Sequence, residues 1–80
     1  MREKIIDILN DIDEEIVTSK SDNLIEEGWI DSFTIIAFLS DLEDQLGIKI
    51  PDDQVLPENF ASINKIVELV ERNSWITELS

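Results

Sequence analysis

Apolar residues recur at helical spacing in the first part of the chain. Successive members lie three or four positions apart, as on one face of an α-helix, and polar residues occupy the other positions. The stripe consists of Ile5, Leu9, Ile12 and Ile16, widened by Ile6 and Ile8. This pattern predicts an amphipathic first helix over residues 2–16.

The helical period is lost over residues 18–31, where Ser, Asp, Asn and Gly28 accumulate. Four apolar residues interrupt this polar segment, namely Leu24, Ile25, Trp29 and Ile30. We therefore expect a long ordered loop that its apolar side chains hold against the core, rather than a free linker.

A second helix is predicted from Asp31 or Ser32 to Gly47. Asp is a favourable N-cap, an apolar period begins directly after it, and Gly suits the left-handed conformation that ends many helices. One stripe on this helix has the spacing of a core face, and its members are Ile35, Phe38, Leu39, Leu42 and Leu46.

The same helix carries a second stripe, displaced by two residues or roughly 200° around the axis. Its members are Phe33, Ile36, Ala37 and Ser40. A domain of 80 residues has few elements with which to cover both faces of one helix. The second face therefore binds a partner, which we favour, or is covered by the preceding loop.

The rest of the chain predicts a connector and two further helices. Ile48-Lys49-Ile50-Pro51 alternates like a strand but has no partner strand, so we expect an extended connector with both Ile side chains directed inward. A short helix is expected at residues 57–60, with Pro at its first position. Ser62 then caps a last helix with a stripe of Ile63, Ile66, Val67 and Val70.

We expect residues 74–80 to form a frayed helix end or a tail. Together the elements predict one domain over residues 1–80 of the all-α class. Its architecture is a small four-helix bundle, with three main helices, one short helix, and a long loop after helix 1.

Composition narrows the possible chemistry. The chain has no Cys and no His, so it lacks a thiolate nucleophile and the commonest proton-transfer group, and an enzyme is not expected. Its formal charge of -13 would repel nucleic acids and anionic lipid surfaces and attract basic proteins. Charges are mixed into the apolar positions of residues 1–7, which predicts neither a signal peptide nor a membrane span. We expect a cytoplasmic monomer that binds no nucleic acid and does not insert into membranes.

Clustered carboxylates do not identify a catalytic or metal site. Acid-base catalysis needs a pocket that shifts a carboxyl pKa toward neutrality, and a domain of this size offers little concavity. No segment has the alternating oxygen ligands of a calcium loop. We therefore predict no catalytic residue and no metal ligand.

The hydroxyl of Ser32 is the best candidate for a functional group. It lies at the predicted start of the second helix, after a loop long enough to leave it accessible and directly before the second apolar stripe. Free backbone N–H groups and the helix dipole stabilise negative charge at such a position, which suits a phosphodiester. The plainer interpretation is that Asp31-Ser32 only caps the helix.

Asp31-Ser32-Phe33, together with the order of the elements around it, resembles the acyl carrier proteins. The signature of that family is Asp-Ser followed by a large apolar residue at the start of the second helix. The resemblance implies that Ser32 carries 4'-phosphopantetheine, transferred from coenzyme A by a Mg-dependent phosphopantetheinyl transferase. The arm would hold an acyl or aminoacyl group as a thioester while partner enzymes do the chemistry.

The resemblance also implies a docking surface on the second helix. A partner with a basic patch, either an adenylate-forming ligase or an acyltransferase or synthase, would contact carboxylates around an apolar centre. The predicted contact residues are Asp31, Phe33, Ile36, Ala37, Ser40, Asp41, Glu43 and Asp44.

Residues flanking the serine favour a subgroup of these carriers. Carriers of fatty acid synthesis usually read Leu-Gly-Ala-Asp-Ser-Leu-Asp, with a further acid five positions after the serine. Here two apolar residues separate Gly28 from Asp31, Thr34 replaces the second acid, and Ala37 stands at the later acidic position. This arrangement is more similar to D-alanyl carrier proteins and other discrete carriers. The sequence does not identify the cargo or the pathway of such a carrier. The alternative function is an acidic adaptor or nucleic-acid mimic without a cofactor, and a small enzyme is the third hypothesis.

Overall fold

The structure, a computed structural model, describes residues 2–79, and it describes side chains as far as Ser74. Its regular elements are α1 (Arg2–Ile12), α2 (Glu14–Thr18), α3 (Ser32–Leu46) and α4 (Ile63–Leu79), with 3-10 helices at Asp52–Gln54 and Pro57–Phe60. The described residues contain no strand. The predicted all-α class is confirmed, and the short helix expected at residues 57–60 is of the 3-10 type.

The prediction of one helix over residues 2–16 is wrong, because the backbone breaks at Asp13. This residue is extended, with φ −162° and ψ 106°, and its side chain accepts a hydrogen bond of 3.0 Å from the Glu15 N–H. Asp13 is thus the N-cap of a separate helix, α2. Helix α2 packs against α1, and its residue Ile16 is completely buried.

The segment between α2 and α3 is an ordered loop, as predicted. Leu24 and Ile30 are buried, and Ile25 and Trp29 pack partly buried against the core. The N–H of Leu24 donates a 2.8 Å hydrogen bond to the carbonyl of Ala61. The loop is therefore fixed to the segment that precedes α4.

The core lies between α1, α3, α4 and the second 3-10 helix. Phe38 of α3 meets the ring of Phe60 edge-to-face, with ring centroids 6.5 Å apart and an interplanar angle of 87°. The buried apolar residues are Ile5, Ile8, Leu9, Ile16, Leu24, Ile30, Phe38, Leu42, Ile48, Ile50, Phe60, Ile66, Val67, Leu69 and Val70. The core faces predicted for α1, α3 and α4 all contribute to this set.

The connector after α3 is tied to α4 by a side-chain hydrogen bond that the sequence did not predict. Ile48 and Ile50 are buried as expected. The buried Asn73 donates from Nδ2 to the Gln54 side-chain oxygen and to the Leu69 carbonyl, both at 2.8 Å. Both bonds satisfy a polar group that would be costly to bury alone, and the bond to Gln54 fixes the first 3-10 helix on α4.

Helix α4 begins after Ser62, whose Oγ accepts a 3.2 Å hydrogen bond from the Lys65 N–H. Its backbone is helical as far as Leu79, across most of the segment for which we expected a frayed end or a tail. The side chains of residues 75–80 lie outside the described residues. Within the described part of the chain, no helix is both long enough and apolar enough to span a membrane.

Candidate functional site

Ser32 is the first residue of α3, a helix of 15 residues, and it is exposed. The preceding residue, Asp31, has extended backbone with φ −127° and ψ −176°, and its Oδ1 accepts a 2.9 Å hydrogen bond from the Thr34 N–H. This is the predicted N-cap, and Gly47 ends the helix in the left-handed conformation, also as predicted. The serine hydroxyl thus lies at the positive end of the helix dipole.

Thr34 makes a second hydrogen bond to the same carboxylate. Its Oγ1 donates to Oδ1 of Asp31 at 3.1 Å. The Thr34 N–H, followed by the Thr34 hydroxyl, lowers the pKa of the Asp31 carboxyl below its ordinary value, and the small burial of the group opposes them. Asp31 is therefore a negative charge beside Ser32 at neutral pH.

An open groove of about 320 Å³ adjoins Ser32. Its lining consists of Ile25, Gly28, Ile30, Asp31, Ser32, Ile35 and Pro57. Gly28 has a φ of 84°, a left-handed turn that favours glycine and brings the loop to the start of α3. Apolar walls beside an exposed hydroxyl fit a flexible arm joined through a phosphate, because the first-turn N–H groups suit the phosphate and the walls suit the chain.

Sequence reasoning found the serine but missed the groove. The spacing of apolar residues places Ile35 on the core face, and no pattern links Ile25 to Pro57, which is far away in sequence. The hydrogen bond between Leu24 and Ala61 joins the loop to this later segment. Such a long-range contact leaves no periodic signal in one sequence.

The outer face of α3, which we define as Phe33, Ile36, Ser40, Glu43 and Asp44, is open. Phe33 is 85% exposed and Ile36 is 67% exposed. The loop therefore does not cover them, and that alternative is wrong. Apolar groups of this size, exposed side by side, are typical of a contact surface.

Carboxylates continue the outer face toward the C-terminal end of α3. Glu43 and Asp44 are exposed, whereas Asp41 and Ala37 are half-buried at the edge of the face. Helix α3 contains no Lys or Arg that would offset these charges. The predicted contact residues thus fall on one side of α3, with Asp31 at its start and Asp41 at its margin.

A family model described as a phosphopantetheine attachment site matches residues 1–70. The chain belongs to this family of carrier proteins, which hold a covalently attached 4'-phosphopantetheine and are acted on by other enzymes rather than catalysing a reaction. The expected absence of an enzymatic role agrees with this membership, and an adaptor without a cofactor is not favoured.

Several curated proteins similar to this chain are D-alanyl carrier proteins. The protein of that name from Enterococcus faecalis is 33% identical over 73 residues, which cover 89% of this chain and 94% of the relative. The one from Leuconostoc mesenteroides is 33% identical over 72 residues, covering 89% and 92%. D-alanyl carrier protein 1 from Lactiplantibacillus plantarum is 37% identical over 68 residues, covering 84% and 85%. No solved structure matches the chain.

Proposed function

We propose that Ser32 carries the phosphopantetheine arm and that the arm presents a D-alanyl group to partner enzymes. The observation that carries this proposal is the exposed Ser32 hydroxyl, which lies at the N-terminus of α3 and beside the apolar groove. The arm supplies a terminal thiol, to which cargo is joined as a thioester.

Attachment of the arm uses the Ser32 hydroxyl as the nucleophile. Oγ forms a bond to the phosphorus atom next to the pantetheine, the bond from that phosphorus to the bridging oxygen breaks, and 3',5'-ADP leaves with its electrons. A transferase takes the serine proton and supplies Mg²⁺, since this chain offers no His or Cys for the purpose. The positive end of the α3 dipole then stabilises the phosphodiester charge.

The cargo is inferred from the relatives and from the residues around Ser32. D-alanyl carrier proteins match more than four fifths of the chain at 31% to 37% identity. The departures at Thr34 and Ala37 from the pattern of fatty acid carriers agree with this cargo. We therefore propose an adenylate-forming ligase as the loading partner, acting in the cytoplasm on a monomeric carrier.

We propose that partners dock on the outer face of α3. Phe33 and Ile36 would fill the apolar centre of the contact, next to Ser32. Glu43 and Asp44, with Asp31 and Asp41 at the borders, would face a basic patch and speed the encounter. The phosphopantetheinyl transferase and the ligase would share this surface, because both must reach the same arm.

Reversing charge on the outer face of α3 should slow partner association. With Glu43→Lys and Asp44→Lys combined, we expect kcat/KM for loading at low salt to fall by about tenfold or more, since electrostatic attraction raises association rates by about 10 to 1000-fold. Kinetics in a series of NaCl concentrations measure this, and the difference from the wild type should shrink as salt screens the charges.

The matched control is Glu68→Lys with Glu71→Lys. These two residues are exposed on α4, and their reversal changes the net charge of the chain by the same amount. We expect a much smaller loss in this control. Equal losses in the two double variants would mean that partners respond to total charge, and the proposed docking face would then be wrong.

The function is tested by loading in two steps, each followed by intact mass. Coenzyme A and a broad-specificity phosphopantetheinyl transferase should add one phosphopantetheine group. A ligase for D-alanyl carriers, with ATP and D-alanine, should then add one D-alanyl group, which hydroxylamine releases as expected of a thioester. If the arm is added but no D-alanine is transferred, the chain is still a phosphopantetheine carrier, but D-alanine is not its cargo.

A further inference from the structure

The two hydrogen bonds between Thr34 and Asp31 end on one oxygen. The N–H and the Oγ1 of Thr34 both donate to Oδ1, at 2.9 and 3.1 Å, and neither of these bonds involves Oδ2. The N–H alone is enough to cap α3, as at most helix N-termini. The Thr34 hydroxyl is therefore a second donor to Oδ1 of Asp31, which already accepts the capping hydrogen bond.

A second donor confines the carboxylate. A carboxylate held by one hydrogen bond turns about its terminal torsion, which is broad for Asp, whereas two converging donors restrict that rotation. Asp31 is exposed and directly precedes Ser32, so the orientation of Oδ2 is set at the edge of the attachment site. Fixing a group before a partner arrives lowers the ordering cost of binding.

We propose that Thr34 is a positioning residue for the loading of Ser32, holding Asp31 by Oδ1 so that Oδ2 meets a cationic group of the phosphopantetheinyl transferase. The inference rests on the proposed function at Ser32. The lowered pKa of the Asp31 carboxyl supports it, because the group stays charged for that contact.

The residue type at position 34 matters for this role. Thr supplies both a donor and a neutral side chain next to Asp31. A carboxylate at position 34, as in the fatty acid pattern, would donate no hydrogen bond and would repel Asp31. Thr34 replaces the acid of the fatty acid pattern, and its hydroxyl makes a hydrogen bond to Asp31 that an ionised acid does not make.

Thr34→Val tests the proposal, because it removes the hydroxyl and keeps the branched shape and the capping N–H. We expect kcat/KM for phosphopantetheine loading to fall by about three- to tenfold, the usual value of one hydrogen bond, with the change mainly in KM. Thr34→Ser should restore most of the loss. NMR titration of the Asp31 carboxyl should show a higher pKa in Thr34→Val than in the wild type.

The matched control is Thr18→Val. The Thr18 hydroxyl also bonds to backbone, at the Glu14 and Glu15 carbonyls in α2, but it is not part of the α3 N-terminus. We expect this variant to be loaded at the wild-type rate, which separates positioning from a general loss of helix stability. Circular dichroism of each variant checks the helical content.

Three results would overturn the role of Thr34. They are wild-type loading of Thr34→Val, a loss confined to kcat, and failure of Thr34→Ser to recover activity. If wild-type protein is not loaded at all, the proposed function fails and the role of Thr34 fails with it. Loading of the wild type with no difference in Thr34→Val overturns only the role of Thr34.

Discussion

Phe33→Ala should reduce kcat/KM for the loading of D-alanine by about 30-fold or more, the value of a central contact worth about 2 kcal/mol. Phe33 is 85% exposed next to Ser32, and this fits a side chain that becomes buried only when a partner binds. Because the isolated protein gains little from an exposed ring, its free energy of unfolding should change by less than about 0.5 kcal/mol. Steady-state kinetics with the arm already attached, together with thermal denaturation, measure the two effects.

Leu56→Ala is the control for loss of exposed apolar surface. Leu56 is 40% exposed and lies outside α3, between the two 3-10 helices. We expect kcat/KM to stay within about twofold of the wild type, as for most peripheral contacts. A loss as large as that of Phe33→Ala would indicate that partners do not distinguish the outer face of α3 from other apolar surface.

Phe38→Ala should lower the free energy of unfolding by about 3–5 kcal/mol, the usual cost of emptying a buried Phe site. Phe38 lies on the opposite face of the helix that carries Phe33, and its ring packs edge-to-face on Phe60. The melting temperature should fall by more than about 12 °C, since a small domain loses roughly 4–8 °C for each kcal/mol. Thermal denaturation followed by circular dichroism measures this.

The two Phe→Ala changes form a matched pair on one helix. Phe33→Ala is expected to impair partner recognition with little effect on stability. Phe38→Ala is expected to impair stability. Phe38→Leu should recover most of the lost stability, because it refills much of the cavity. A cost below about 1 kcal/mol for Phe38→Ala would contradict the assignment of Phe38 to the core.

Local chemistry explains why α3 was predicted well. Asp31 and Gly47 fix the ends of this helix through their own side chain and backbone preferences, so its bounds can be read without knowledge of the rest of the fold. The break in the first helix was missed because the prediction of that helix rested on its apolar period. The apolar stripe keeps its spacing from Ile12 to Ile16, and nothing in that period reveals that Asp13 caps a new helix.

The candidate site at Ser32 was predictable only in part. Ser32 and Phe33 stand in a short motif, and the second stripe on α3 predicted the exposed face. The groove beside Ser32 is lined by Ile25 and Pro57, which are far apart in sequence, and the bond between the Thr34 hydroxyl and Asp31 depends on a rotamer. Neither a long-range contact nor a rotamer has a signature in the spacing of residue types.

Attachment of the phosphopantetheine arm to Ser32 underlies every function proposed for this chain. Its most direct test is the intact mass of the wild type and of Ser32→Ala after incubation with coenzyme A and a broad-specificity phosphopantetheinyl transferase. We predict that the wild type gains the mass of one phosphopantetheine group and that the folded variant gains none. An unmodified wild type beside a carrier that is converted under the same conditions, or a modified Ser32→Ala protein, would contradict the claim.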